Sequence, residues 1–219
     1  MSPPESAPGQ RWGRYLGVLA VLAFVLIAIH TVTNKATLVL GIEPGHRLPP
    51  FTVPLAVGDE NGDADIATHA NDGAAGRVAA CDLRGAELLN VCELYEQGPV
   101  VLALFVDSGS CPDILSDMQA LAPSFPGVRF AAVAIKGNRG RLRRLVRSQQ
   151  LTLPVGIDSD GAVATLYQVA SCPQVTFAYP GGVVQSAVLL SRPSRAALRD
   201  RLSELVAAAR ARGWRGAAP

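Results

Sequence analysis

The residues most able to do chemistry in this 219-residue chain are its four cysteines, at positions 81, 92, 111 and 172. An even number permits two disulfides, but four cysteines are too few for a small scaffold that depends on a dense set of such bonds. Because a cysteine thiolate can act as a nucleophile or as a metal ligand, each of the four needs its own interpretation.

Cys111 is the strongest candidate for a reactive thiol. It follows an unbroken apolar run of strand length, 100–106, and precedes apolar residues at helical spacing that end at Pro123. A sulfur at the first turn of a helix faces unpaired N–H groups, which favour the thiolate. The alternative is that Cys111 packs in the core, as cysteines often do.

Cys81 and Cys92 lie eleven residues apart, just before the apolar run. We interpret them as a structural disulfide that closes a short loop and restricts the unfolded chain. The alternative is that one of them is a third redox partner. A structural disulfide requires an oxidising compartment, and the N-terminal segment predicts one.

That segment, residues 15–32, is apolar on all sides and contains no charged residue apart from the neutral-leaning His30. It is close to the roughly 20 residues that a helix needs to cross a bilayer. Arg11 and Arg14 precede it, so the short N-terminal side should stay in the cytoplasm. A cleaved signal peptide is the alternative, but no clear small-x-small cleavage site follows the run.

We therefore expect a cytoplasmic N-terminus over 1–14, a single-pass transmembrane anchor over 15–33 and a tether over 34–47. One folded domain over 48–212 and a tail over 213–219 would then lie outside the cytoplasmic membrane. A chain of this length has room for one core of ordinary size.

The domain alternates strand and helix patterns. Strands are predicted over 51–57, 100–106, 128–135, 153–157, 175–178 and 183–189, and helices over 114–122, around 142–146, over 162–167 and after Ser194. This order predicts an α/β fold with a mixed sheet and helices on both sides. One helix has an arginine face, Arg141, Arg143, Arg144 and Arg147, which we expect to be solvated.

The pattern over about 45–212 resembles the thioredoxin fold, in particular the membrane-anchored redoxins of the TlpA and ResA kind. Four features support the resemblance: the opening segment 45–51, the strand that ends in Phe105, the cysteine that follows it, and Cys172-Pro173 before the Gly181-Gly182 turn. The resemblance implies a thioredoxin-like three-layer sandwich. In that family the strand leads into Trp-Cys-x-x-Cys. Here no tryptophan precedes Cys111, and Ile114 stands where the second cysteine would be.

The resemblance also implies roles for site residues. Pro173 matches the cis-proline that faces the active-site turn, and the residue before it normally lies against the first cysteine. Cys111 would then attack a substrate disulfide, and Cys172 would resolve the mixed disulfide. Partners would be a protein thiol or disulfide and the membrane. A static bridge or two unpaired thiols is the alternative.

The charge, the histidines and the motif around Cys111 favour other functions less. A net charge of +2 from 20 basic and 18 acidic residues is too balanced to indicate nucleic-acid binding. His46 and His69 lack metal-ligand spacing, so we expect neither a metal nor a cofactor. A thiol peroxidase is a minor alternative, because Leu104 stands where the peroxidase motif has proline. The main rival is a redox-inactive thioredoxin-fold module for binding or assembly at the membrane.

Overall fold

The computed structural model describes residues 15–26, 41–186 and 192–216, and the chain divides into two compact units, 1–38 and 39–219. In the first unit, residues 15–26 form helix α1, whose apolar side chains are exposed. The rest of the predicted anchor, 27–33, lies outside the described residues. Among the described residues, no helix has both the length and the apolar character needed to cross a membrane. The anchor and the domain boundaries stay predictions.

The described residues of the second unit form six strands and five helices. The strands are β1 (Thr52–Pro54), β2 (Leu88–Asn90), β3 (Val100–Phe105), β4 (Arg129–Ile135), β5 (Val155–Asp158) and β6 (Gln174–Ala178). The helices are α2 (Val91–Gln97), α3 (Asp113–Leu121), α4 (Arg139–Ser148), α5 (Ala162–Leu166) and α6 (Arg195–Ala211). Three short 3-10 turns, Gly73–Ala75, Ala80–Asp82 and Ala122–Ser124, lie in the connections.

Within the part of the chain that the structure describes, the main sheet has four strands in the order β5-β4-β3-β6. Strands β3, β4 and β5 are parallel, and β6 runs antiparallel to β3. Every residue of β3 is fully buried, as its unbroken apolar sequence predicts for a central strand covered on both faces. The α/β class and the mixed sheet between helices are therefore confirmed.

Side chains of β3 alternate between two cores. Val101, Ala103 and Phe105 pack with apolar residues of α3, α4 and α6. Strands β1 and β2 pair antiparallel in a second, two-stranded sheet, called the β1–β2 hairpin here although a long loop joins the strands. Val100, Leu102 and Leu104 pack on the opposite face with residues of α2, α5 and this hairpin. The period of two along a strand thus produces three layers, with the sheet in the middle.

The β1–β2 hairpin approaches the outer edge of β5. Leu55 forms an antiparallel bridge with Gly156, and the Ala56 N–H donates to the Val155 carbonyl at 2.8 Å. A side chain at Gly156 would collide with the Val53 side chain. Glycine is therefore required for this close approach of the hairpin.

Two local predictions differ from the structure. Strand β2 and helix α2 fill a segment for which the sequence predicted no element. The expected solvated arginine face is only partly correct, because Arg143 donates to the carbonyls of Ala56 and Gly58 and is paired with Asp59, while Arg141 is paired with Asp107. Main-chain carbonyls from a loop distant in sequence bind the Arg143 guanidinium, and a carboxylate binds that of Arg141. Arg144 and Arg147 are exposed, as expected.

The predicted C-terminal hairpin is described only in part. Ala178 and Val184 form an antiparallel bridge, and residues 187–189 of the predicted strand lie outside the described residues. Ser194 caps α6 by accepting the Ala197 N–H at 3.2 Å, as its position predicted.

Candidate functional site

A disulfide joins Cys111 and Cys172, whose Cα atoms are 5.6 Å apart and which are separated by 61 residues in sequence. Cys111 lies in the loop that follows the carboxyl end of β3, and Cys172 precedes β6 by two residues. Because β3 and β6 are antiparallel neighbours, the end of one meets the start of the other. Both cysteines are half-buried. The fold therefore brings the two sulfurs together at a solvent-accessible edge of the sheet.

The peptide bond between Cys172 and Pro173 is cis. Directly after it, the buried Gln174 donates its side-chain amide to the Tyr167 carbonyl at 3.0 Å. The Tyr167 hydroxyl in turn donates to the Pro49 carbonyl at 2.8 Å. Burial raises the pKa of Tyr167 well above its ordinary value, so the phenol stays a neutral donor. These contacts hold the segment around Cys172 against the rest of the domain.

The two sulfurs have different hydrogen-bond environments. The main-chain N–H of Val106, the residue directly after β3, donates to the Cys172 sulfur at 3.2 Å. For the Cys111 sulfur, the described residues provide no hydrogen bond. This difference was not predicted, because it depends on where β3 ends relative to Cys172.

The position of Cys111 also differs from the expectation that it occupies the first turn of a helix. Helix α3 begins at Asp113 with Pro112 at its N-cap position, so Cys111 lies in the preceding turn. In that turn the Asp113 N–H donates to the Ser110 carbonyl at 3.2 Å. Proline has no N–H, and the next one is occupied, so neither of these two positions offers a donor to a Cys111 thiolate.

Asp107 fixes the start of the loop that contains Cys111. Its carboxylate accepts the Asn138 N–H at 3.0 Å and two N–H groups of Arg141 at 3.1 Å each. Only 10% of its side chain is exposed. A carboxylate that accepts three donors is held in one orientation, and this orientation ties the loop to α4.

A second set of ion pairs fixes the start of α3. Arg192 is 2.9 Å from the Asp113 carboxylate, and Arg195 is 2.8 Å from the Asp117 carboxylate. Asp117 is also 3.7 Å from Arg192. The carboxylates nearest the disulfide along the chain are therefore each paired with an arginine.

Cys81 and Cys92 form the second disulfide, with Cα atoms 5.4 Å apart. Cys92 is 1% exposed, whereas Cys81 is half-buried. The Cys81 sulfur lies 3.7 Å from the Tyr95 hydroxyl, on the same helix as Cys92. This bond ties the 3-10 turn at Ala80–Asp82 to α2.

Hydrogen bonds from one asparagine reinforce this second disulfide. Asn90 caps α2 by accepting the Cys92 N–H at 2.8 Å, and its amide donates to the carbonyls of Ala80 at 2.9 Å and Leu83 at 3.0 Å. Thr52 also donates to the Ala80 carbonyl, at 2.6 Å.

An ion pair adds to these contacts. Arg84 pairs with Glu96 through two contacts of 2.9 Å each, which lower the pKa of Glu96. The loop is thus held by many contacts besides the sulfur bond.

The sequence indicated the four cysteines and Pro173 but not the residues that position them. Asp107, Arg192 and Arg195 were missed, and so was the Val106 N–H. An acidic residue directly after a buried strand was the only available signal for Asp107. Within the described ranges, no three His, Cys, Asp or Glu side chains come together in a way that could hold a metal ion.

Comparison with known proteins shows the fold. No protein-family model matches the sequence, and no curated protein is significantly similar to it. A thiol:disulfide interchange protein of the thioredoxin family from Chlorobium tepidum matches 75% of this chain and 97% of its own, at 13% identity and a TM-score of 0.54. A candidate DsbE-type thiol:disulfide interchange protein of the same organism matches 77% and 98%, at 16% identity and a TM-score of 0.55.

A third structure is the peroxidoxin BcpB of Mycobacterium tuberculosis. It matches 76% of this chain and 97% of its own, at 18% identity and a TM-score of 0.54. At such low identities the likeness concerns the backbone, because one fold serves several chemistries. The three matched structures and the four-stranded sheet between helices lead to the same conclusion: the chain has the thioredoxin-like fold.

Proposed function

We propose that this protein is a membrane-anchored thiol-disulfide oxidoreductase whose exchangeable bond joins Cys111 and Cys172. The observation that supports the proposal best is the position of this bond. It lies half-buried where β3 meets β6, beside Pro173 in a cis peptide. A partner thiolate can reach a disulfide at such an edge, whereas a fully buried disulfide must first be uncovered.

A substrate with two thiols would exchange with this bond in two steps. One substrate thiolate attacks the Cys111 sulfur, the bond between Cys111 and Cys172 breaks, and Cys172 leaves with the electron pair. The second substrate thiolate then attacks the sulfur that is bonded to Cys111, and Cys111 leaves in turn. The substrate loses two electrons and becomes a disulfide, and the protein becomes a dithiol. In the opposite direction Cys111 attacks and Cys172 resolves, so a substrate disulfide is reduced.

The experiment compares disulfide exchange between the full chain and a peptide that contains two cysteine thiols. Cys111→Ala and Cys172→Ala should each abolish catalytic turnover, because either change removes the bond. The matched control is the double variant Cys81→Ala, Cys92→Ala, which should keep exchange if it folds. Unchanged turnover in Cys111→Ala would overturn the proposal. A wild-type protein that folds and exchanges no disulfide would favour the redox-inactive binding or assembly module.

We also propose that residues 15–33 anchor the protein with residues 1–14 in the cytoplasm and the domain outside. The apolar sequence and the preceding Arg11 and Arg14 support this orientation. Alkaline phosphatase fused to the C-terminus in a bacterial host should be active and should sediment with membranes. An inactive fusion would show that the domain is not exported. Activity released from the membrane fraction would indicate cleavage of the segment.

A further inference from the structure

The two sulfurs of the candidate site differ in their main-chain surroundings, and this difference has a chemical consequence. The Val106 N–H donates to the Cys172 sulfur at 3.2 Å. Val106 is the first residue beyond β3, so this N–H is a main-chain donor that a side-chain sulfur satisfies. A donor that already points at a sulfur binds a thiolate more strongly than a neutral sulfur, because the acceptor then has a full charge.

Cys111 has no comparable donor among the described residues. Pro112 has no N–H, and the N–H of Asp113 is used by the Ser110 carbonyl. In addition, Cys111 lies one residue before the N-cap position of α3 and not within the helix itself. The usual reasons for a stabilised thiolate at this position are therefore weak here.

Charged side chains near the pair do not reverse this difference in thiolate stabilisation between Cys172 and Cys111. The carboxylates on the elements around the pair are Asp107, Asp113 and Asp117, and the cations that face them are Arg141, Arg192 and Arg195. Each carboxylate is paired, so their opposing effects on a nearby thiolate largely cancel. Partial burial of Cys172 against the core works against a charge there, but a low local dielectric also strengthens the hydrogen bond to that charge.

We propose that in the reduced protein Cys172, and not Cys111, holds the thiolate, and that the Val106 main-chain N–H is the group that stabilises it. Cys172 is then the better leaving group, so a substrate thiolate attacks the sulfur of Cys111, which lies beside the exposed loop residues 108–110. Stabilising the reduced form also favours acceptance of electrons from substrate dithiols. This consequence rests on the proposed function, whereas the site of the thiolate does not.

The first test measures alkylation by iodoacetamide against pH in two variants of the full chain. Cys111→Ala leaves the Cys172 thiol, and Cys172→Ala leaves the Cys111 thiol. Alanine is preferred to serine because a hydroxyl could donate to the remaining sulfur. We expect the midpoint pH of alkylation to be about one unit lower for Cys172 than for Cys111. An equal or lower midpoint for Cys111 would overturn the proposal.

The second test removes the donor itself. Val106→Pro in the Cys111→Ala background deletes the N–H, and Val106→Ala is the matched control because it trims the side chain and keeps the donor. The midpoint for Cys172 should rise by about one unit in the proline variant and stay unchanged in the control. Equal midpoints in the two variants would overturn the role of the Val106 N–H. If the proline variant does not fold, the alanine pair alone decides where the thiolate lies.

A third readout uses all four native cysteines and graded glutathione buffers. Val106→Pro should need a buffer about tenfold more reducing than Val106→Ala to become half reduced at Cys111 and Cys172, because its reduced form is less stabilised. An unchanged buffer midpoint would count against the proposal. Failure of the wild-type protein to oxidise the dithiol peptide would overturn the proposed function and leave the alkylation result standing.

Discussion

The two disulfides of this protein are the same covalent bond in two different settings. The bond between Cys81 and Cys92 closes a loop that Asn90, Thr52 and Arg84 also hold together. The bond between Cys111 and Cys172 lies half-buried at an edge of the sheet. The surroundings of a disulfide, more than the bond itself, therefore determine how readily a thiolate can exchange it.

The two bonds should differ most in how fast they are reduced. In mild dithiothreitol, the Cys111–Cys172 bond should be reduced about 100-fold faster than the Cys81–Cys92 bond. Attack at the buried Cys92 needs local opening, and attack at the half-buried Cys81 expels a Cys92 thiolate into a buried site that disfavours its charge. Non-reducing peptide mapping at timed intervals measures both rates in one sample. Equal rates would mean that the two settings do not differ in access.

The two bonds should differ less in how much each one contributes to stability. The loop closed by Cys111 and Cys172 is longer, so replacing both cysteines by alanine should cost about 4 kcal/mol of unfolding free energy by chain entropy. The same change at Cys81 and Cys92 should cost about 3 kcal/mol. Denaturant unfolding of the two double variants measures both. A reversed order would show that packing around the buried Cys92 outweighs loop length.

Removal of the asparagine cap should loosen one disulfide and not the other. Asn90→Ala leaves the carbonyls of Ala80 and Leu83 without their amide donor and should cost about 2 kcal/mol. It should also speed reduction of the Cys81–Cys92 bond. Asn138→Ala is the matched control, because Asn138 caps α4 in the same way by accepting the Arg141 N–H at 3.0 Å. If both variants speed reduction of that bond equally, the Asn90 contacts do not protect it.

A still smaller effect is expected on how stability depends on pH, through the ion pair of Arg84 and Glu96. The hydrogen bond from Arg84 lowers the pKa of Glu96, so the folded state binds its proton less readily than the unfolded state does. This contribution to stability is present above the unfolded pKa and is lost as pH falls through the lowered folded pKa. Glu96→Gln should therefore be slightly less stable than wild type at pH 7 and equal to it in strong acid. Denaturant midpoints at the two pH values measure the difference, and a gap that persists in acid would contradict this assignment.

Much of the fold could be predicted because its central elements have strong local signals. The run 100–106 is apolar without interruption, and it forms the fully buried strand β3. Strand β2 was missed because it has three residues and owes its conformation to pairing with β1. Such a short strand has no period of its own to detect.

The part of the candidate site that could be predicted consists of residues whose type alone indicates their chemistry. Cysteines and a proline after a cysteine are visible in any sequence, and the structure brings Cys111, Cys172 and Pro173 together. Their catalytic roles stay predictions. Asp107 and the Val106 N–H were not predictable, because a carboxylate is common on surfaces and a main-chain donor has no signature. Both act through hydrogen bonds to residues more than 30 positions away in sequence.

The bare backbone of Gly156 has a consequence for how this protein behaves among its copies. Because no side chain intervenes, the hairpin can lie along β5 and occupy hydrogen-bonding groups that would otherwise face outward. An uncovered strand is a template on which another chain can add, and such addition leads to aggregation. The hairpin at Gly156 covers part of this edge of β5 and leaves fewer groups there for another chain to pair with.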